Sequence, residues 1–233
     1  MCGRFLLTTP RTQLADLFQF TVADDDGASL TPRYNIAPSQ SIATVRNEQG
    51  DRRELAVVRW GLVPKWAKDR PSEQGLINAR SETAAVKPSF RDAFHKRRCL
   101  ILADGFYEWK RGNGKKKEPV AFRLWDGSPF AFAGLWERWE ETDGHPVETC
   151  AILTTEANEL VKPIHDRMPV ILRPEHYDAW LDPSVKQTDL LQPLLVPFDA
   201  AAMTLFSVTP WVNDARHEGP RCLERAGPET NLF

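Results

Sequence analysis

Apolar residues recur at helical spacing near the start of the chain. Leu14, Leu17 and Phe18 follow Thr9-Pro10, and a threonine before a first-turn proline predicts a capped helix there. The run Asp24 to Gly27 breaks the pattern. Ser41 to Arg46 and Arg53 to Trp60 then alternate or run β-branched on either side of Gly50-Asp51, which predicts a hairpin. Further strands are predicted over Arg98 to Ala103, Gly105 to Lys110, Val120 to Trp125, Pro129 to Leu135 and Thr149 to Thr154, separated by glycine-rich or Asp-Gly turns. Short helices are predicted over Lys87 to Lys96, Glu156 to Leu160, Pro174 to Leu181 and Thr188 to Leu195, with late strands at Pro169 to Leu172 and Thr204 to Val208. This order is not a βαβα alternation. It predicts an α+β fold, a single domain with a mostly antiparallel, barrel-like β-sheet core flanked by short helices. The domain is expected to span residues 1–222, followed by a C-terminal tail, 223–233, that carries no motif.

Composition narrows the function more than the fold. The 233 residues are enough for one substantial core, and a formal charge of −2 removes any general attraction to nucleic acid. DNA binding would therefore need a local basic patch, and the run Lys115 to Lys117 reads instead as a solvated hairpin tip. Cys2, Cys99, Cys150 and Cys222 show no C-x-x-C spacing and no histidine pairs at ligand intervals, so free thiols and no metal are expected. Phe5-Leu6-Leu7 is too short for a signal segment and no stretch suits a bilayer, so a cytoplasmic protein without membrane contact is expected.

Candidate chemistry is concentrated in a few polar segments. Cys2 follows Met1 directly, and removal of Met1 would leave an α-amine and a thiol on one residue, a 1,2-aminothiol able to close a thiazolidine on an aldehyde. An incidental cysteine is the alternative. In Ile77-Asn78-Ala79-Arg80-Ser81-Glu82-Thr83, an amide and a guanidinium could orient a carbonyl or phosphate, or Asn78 and Ser81 could simply cap a helix. Glu108 lies between aromatics on a predicted strand. Held against rings it would keep a proton towards neutrality, whereas on a sheet edge it would face solvent. His165 stands beside Asp166 and Arg167 in a loop bracketed by Pro163 and Pro169, either tuned for proton transfer or solvated. His95, His145, His176 and His217 have no such context and read as surface residues. Trp60 reads as core, and Trp66, beside Lys65 and Lys68, as an exposed stacking surface.

Six ordered segments carry a resemblance: MCGRF at the start, YNIAPSQ, WGLVPKW, INARSET, CLILADGFYEWK and IHDRMPVIL, with a weaker echo in SVTPWVN. Together they resemble the SOS response-associated peptidase (SRAP) family, whose members covalently capture abasic sites in single-stranded DNA. The resemblance implies that Cys2 forms a thiazolidine with the ring-opened abasic sugar after loss of Met1. It implies that Asn78 positions the reacting groups, and that Glu108 and His165 shuttle protons. Arg4, Arg80 and Arg167 match phosphate-clamp positions, Pro38 and Trp66 match a stacking edge, and Thr154 matches a neighbour of the site. Ala67 departs from relatives that carry a second aromatic there. A monomer without cofactor, acting on abasic single-stranded DNA, is what the resemblance implies. Two other readings stay open: a cysteine peptidase with Cys2 as thiolate and His165 as base, and a single-stranded DNA-binding module in which Cys2 chemistry is incidental.

Overall fold

Two β-sheets pack around one apolar core in the computed structural model, which describes residues 2–21, 30–47, 52–68, 74–111, 117–140 and 145–227. The strands are β1 (Phe5–Leu7), β2 (Arg33–Ile36), β3 (Ser41–Asn47), β4 (Arg53–Trp60), β5 (Asn78–Arg80), β6 (Arg98–Ala103) and β7 (Gly105–Arg111). They continue with β8 (Lys117–Leu124), β9 (Phe130–Glu140), β10 (Pro146–Glu156), β11 (Arg167–Pro169), β12 (Ile171–Leu172) and β13 (Met203–Ser207). Five short helices, α1 (Arg11–Phe18), α2 (Ser81–Ala84), α3 (Arg91–Lys96), α4 (Tyr177–Leu181) and α5 (Thr188–Leu191), flank them. The α+β expectation holds.

The barrel closes through β3, β4, β6, β9 and β10. β3 pairs with β4 from Ser41↔Arg59 to Asn47↔Arg53, β3 with β6, β6 with β9 and β9 with β10, all antiparallel, and β10 returns to β4 in parallel at Cys150↔Trp60. Closure removes the sheet edges that would otherwise be exposed. Gly134 on β9 makes the tight fit possible, because a Cβ there would lie 2.8 Å from Cys99 Sγ and from Ile101.

The second sheet is open, in the order β13-β8-β7-β1-β2. Alternation along its strands sends Phe5, Leu7, Phe106 and Phe122 to the main core and Leu6, Tyr107 and Ala121 to a second cluster with Val208, Val212 and Cys222. That outer cluster is covered by the last part of the chain. Val208 bridges Arg225 and the Ala226 N–H donates to Ser207 O at 3.0 Å, so residues of the expected tail are tied to the end of β13.

Several expectations need correcting. α1 forms, but Thr9 does not cap it: the hydroxyls and N–H groups of Thr8 and Thr9 all donate to the buried Asp104 carboxylate. Leu17, expected on the apolar face, is 49% exposed. No helix forms at Glu156 to Leu160, because β10 runs on to Glu156, which pairs with Arg167 of β11. The predicted strand at Pro169 to Leu172 is split at Val170, whose N–H donates to Leu153 O on β10 while its carbonyl accepts from Ala133 on β9. The chain crosses there from one barrel strand to the next. The short strands β1, β2 and β5 had no periodic signal of their own. The Gly50-Asp51 turn, Asp24 to Gly27, Lys115 and Lys116 lie outside the described residues, while Lys117 opens β8 opposite Arg111. All four cysteines are free thiols and buried.

Candidate functional site

The segment Cys2 to Arg4 precedes β1 and is pinned from two sides. Tyr107 of β7 donates its N–H to Arg4 O at 2.9 Å, and the Asn78 side-chain amide, Nδ2, donates to Cys2 O at 2.9 Å. Asn78 opens β5, which β10 holds in parallel register at Ile152↔Asn78. Its Oδ1 is buried without a hydrogen-bond partner among the described residues. Asn78 therefore ties the chain start to the barrel rather than capping α2, which has no side-chain cap.

Cys2 is fully buried in the chain that carries Met1. Its thiol makes a weak contact with Arg4 O at 3.9 Å, and burial first, then the Glu108 carboxylate, push its pKa well above the ordinary thiol range. Glu108 is only 6% exposed, on a strand that lies between β1 and β8 rather than on an edge. Burial raises its carboxyl above the usual range, and His165 pulls the other way. Glu108 thus lies within electrostatic reach of the Cys2 thiol on one side and of the His165 imidazole on the other.

His165 sits in the turn leading into β11. Its Nδ1 is 3.0 Å from the Arg167 N–H and 2.9 Å from Asp166 Oδ1. One nitrogen cannot accept from the first and donate to the second in the same protonation state. In the neutral ring Nδ1 accepts from the fixed backbone donor and Nε2 carries the proton; in the charged ring Nδ1 donates to Asp166.

The residues expected at a DNA interface divide into two groups. Trp66 is 67% exposed, its indole N–H 3.4 Å from Pro88 O, while Trp60 is fully buried as core. Arg80 is exposed at the end of β5, and Pro38 is half-buried in the turn after β2. Arg4, by contrast, belongs to the outer face of the open sheet: Nη1 donates to Asn35 Oδ1 at 2.7 Å and Val212 O at 2.9 Å, and the guanidinium lies 5.5 Å from the Trp109 ring centroid. Thr154 is fully buried, its hydroxyl 3.4 Å from Ala79 O. Arg167 donates to both oxygens of Glu82, at 2.6 and 2.9 Å, and to Thr154 O at 2.5 Å.

Two residues of this neighbourhood, Asn35 and Glu82, had not been singled out, and Ser81 had been read only as a helix cap. Asn35 is fully buried, and its amide donates to Asp214 O at 2.9 Å and His217 O at 2.8 Å while its oxygen receives Arg4. Ser81 is buried, its hydroxyl without a partner among the described residues. Glu82 holds Arg167. Each lies inside a quoted segment, YNIAPSQ or INARSET, but sequence offers no cue to which polar residue of such a segment turns inward. His217 is also more than a surface residue, since its ring stacks on Trp211 at 3.5 Å.

Among the described residues no group of three or more His, Cys, Asp or Glu could hold a metal, and no helix is long and apolar enough to cross a membrane. An open cavity of about 600 Å³, lined by Trp125, Glu159, Leu160, Ala200, Ala201 and Met203, shares no residue with the cluster at Cys2.

A closed barrel and an open sheet hold the chain start between them, with the Asn78 amide on Cys2 O and the Glu108 carboxyl within reach of the Cys2 thiol. The family model "SOS response associated peptidase (SRAP)" matches residues 1–215, and the chain belongs to this family. The abasic site processing protein YoqW of Bacillus subtilis is 45% identical over 224 residues, covering 96% of this chain and 99% of the relative. The abasic site processing protein YedK of Escherichia coli is 34% identical over 78% of this chain and 79% of its own length. That of Gallus gallus, HMCES, is 36% identical over 82% of this chain and 66% of its own. A crystal structure of a protein from Bacteroides thetaiotaomicron superposes with a TM-score of 0.86 at 26% identity, covering 97% of this chain and all of that one.

Proposed function

We propose that this protein processes abasic sites in single-stranded DNA by capturing them covalently through Cys2 once Met1 is removed. The observation that carries the reading is the hydrogen bond from Asn78 to Cys2 O, which holds the residue that would begin the processed chain near Glu108, itself within reach of His165. The names of the relatives supply the substrate class.

The chemistry balances without a cofactor. The α-amine of Cys2 adds to the aldehyde carbon of the ring-opened sugar, and the carbinolamine loses water to give an imine. The thiol then adds to the imine carbon, its proton passes to nitrogen, and a thiazolidine closes with one water released overall. Glu108, whose carboxyl holds its proton more tightly than usual, donates to the departing hydroxyl, and His165 relays protons at the sugar oxygen. Asn78 fixes the carbonyl and so limits the rotation available to the amine. A single strand suits the pocket, because an abasic nucleotide there enters without breaking base pairs.

A cysteine peptidase would need the Cys2 thiolate, and both burial and Glu108 oppose that state. Addition of a neutral thiol to an imine does not require it in advance. The test is a denaturing gel of Met1-processed protein incubated with a single-stranded oligonucleotide carrying one abasic site. A denaturant-resistant adduct is expected with the wild type and none with Cys2→Ala or with an uncleaved N-terminal extension; an adduct of wild-type yield in either variant defeats the reading.

A further inference from the structure

Arg167 matches a phosphate clamp, yet its fork is already filled. Both terminal nitrogens donate to the Glu82 carboxylate, one of them also donates to Thr154 O, and Nε is buried without a partner among the described residues. The guanidinium is largely buried, whereas Glu82 stands on its solvent side with 44% of its side chain exposed. A bidentate guanidinium binds carboxylate and phosphate oxygens in the same planar geometry. The approach to Arg167 is thus occupied by an anion of the right shape, on the side from which a ligand would come.

The surroundings make this carboxylate exchangeable. Glu82 is the second residue of α2, immediately after β5, and Arg80 at the end of that strand is exposed and acts on the same carboxylate. Arg80 and Arg167 approach it from two strands, since β5 and β11 both pair with the end of β10, through Thr154↔Arg80 and Glu156↔Arg167. Two cations around one carboxylate leave a net positive site. A phosphodiester replacing Glu82 would keep the fork of Arg167 satisfied and gain Arg80 as a second partner. Glu82 is the more exposed partner, and an incoming phosphate restores the bidentate contact that the carboxylate gives up, so the exchange trades one charge-assisted pair for another.

We propose that Glu82 is an internal stand-in for a DNA phosphate: it occupies Arg167 in the unbound protein and is displaced when a single strand enters. The inference rests on the reading of the preceding subsection. It gives Glu82 the role of a competitor that lowers affinity for undamaged strands, so that stable association depends on capture at Cys2.

The test uses the full chain and a fluorescent single-stranded oligonucleotide without an abasic site, with binding followed by anisotropy across a series of salt concentrations. Glu82→Gln and Glu82→Ala are expected to bind about five-fold more tightly than the wild type. The slope of log affinity against log salt should stay at its wild-type value, because Arg167 neutralises the same phosphate in both complexes once Glu82 has been displaced. Glu159→Gln removes the same charge from an exposed carboxylate on the separate cavity, and should change neither quantity appreciably. Weaker or unchanged binding in both Glu82 variants would make Glu82 a positioning residue for Arg167 and overturn the proposal. A slope steeper by about 0.7 would mean that Glu82 keeps Arg167 from the phosphate in the wild-type complex, and an equal gain in Glu159→Gln would reduce the effect to net charge; either result overturns the proposal. Crosslinking of the wild type to abasic DNA is scored separately. Its absence defeats the capture reading, whereas wild-type capture without an affinity gain in the Glu82 variants defeats only the role of Glu82.

Discussion

Cys2 and Cys99 are both fully buried thiols in the same apolar core, yet only one stands in a place where chemistry can follow. In the barrel, Cys99 lies against Gly134, and burial pushes its thiol up to about 12 although the Arg46 charge pulls the other way. At the chain start burial has the same sign, but Glu108 adds to it and Asn78 holds the backbone of the same residue. Burial alone makes a thiol inert. What distinguishes the second region is a buried carboxyl and an oriented amide beside the residue whose amine the proposed loss of Met1 would free.

The largest expected effect separates the two thiols outright. Cys2→Ala should lower adduct yield with abasic DNA by at least about a thousand-fold, and Cys99→Ala should leave it at wild-type level. Equal yields from both variants on a denaturing gel would erase the contrast. Next in size is Glu108→Gln, which keeps the shape and removes the proton donor. The single-turnover rate of capture should fall about a hundred-fold and lose its dependence on a carboxyl titration. An unchanged pH–rate profile would take Glu108 out of the proton transfer.

Asn78→Ala should slow capture about ten-fold with little change in affinity for undamaged DNA, since its amide orients Cys2. A loss confined to affinity would assign Asn78 to the strand instead. The same Glu108→Gln variant also gives a stability signature. Because the folded state raises this carboxyl above its ordinary 4.5, the folded chain holds the proton more tightly than the unfolded one. Its contribution is fully present below pH 4.5 and is lost as pH rises through the raised value. The variant should therefore melt higher than wild type at neutral pH, with the gap closing towards pH 4 on thermal scans. Smallest in functional terms is Cys99→Ser, which should cost about 1–3 kcal/mol of stability by burying a hydroxyl, with no change in capture rate.

The contrast also shows how far sequence reaches. The barrel strands were legible because their apolar runs are long, and Trp60 and Trp66 were separable by the charges beside the second. β1, β2 and β5 were not, because three or four residues are too few for a period. Yet β1 and β5 are the elements that place Cys2 and Asn78. The four residues at the chain start came from ordered segments, but their convergence depends on β10 receiving β5 in parallel and β11 antiparallel, a pairing that no local pattern encodes. Arg4 illustrates the converse. It lies two residues from Cys2, yet its guanidinium joins Asn35 and Val212. The resemblance matched Arg4 to a phosphate clamp, and the structure gives its guanidinium protein partners, the Asn35 oxygen and the Val212 carbonyl.

The most direct test of Cys2 as an aminothiol is intact mass and peptide mapping of the product formed by Met1-processed protein with abasic single-stranded DNA. The expected product has the summed mass of protein and DNA less one water, maps to Cys2, and needs no borohydride trapping, as a closed thiazolidine requires. An adduct on a lysine, or one that survives only after borohydride reduction, would contradict capture through Cys2.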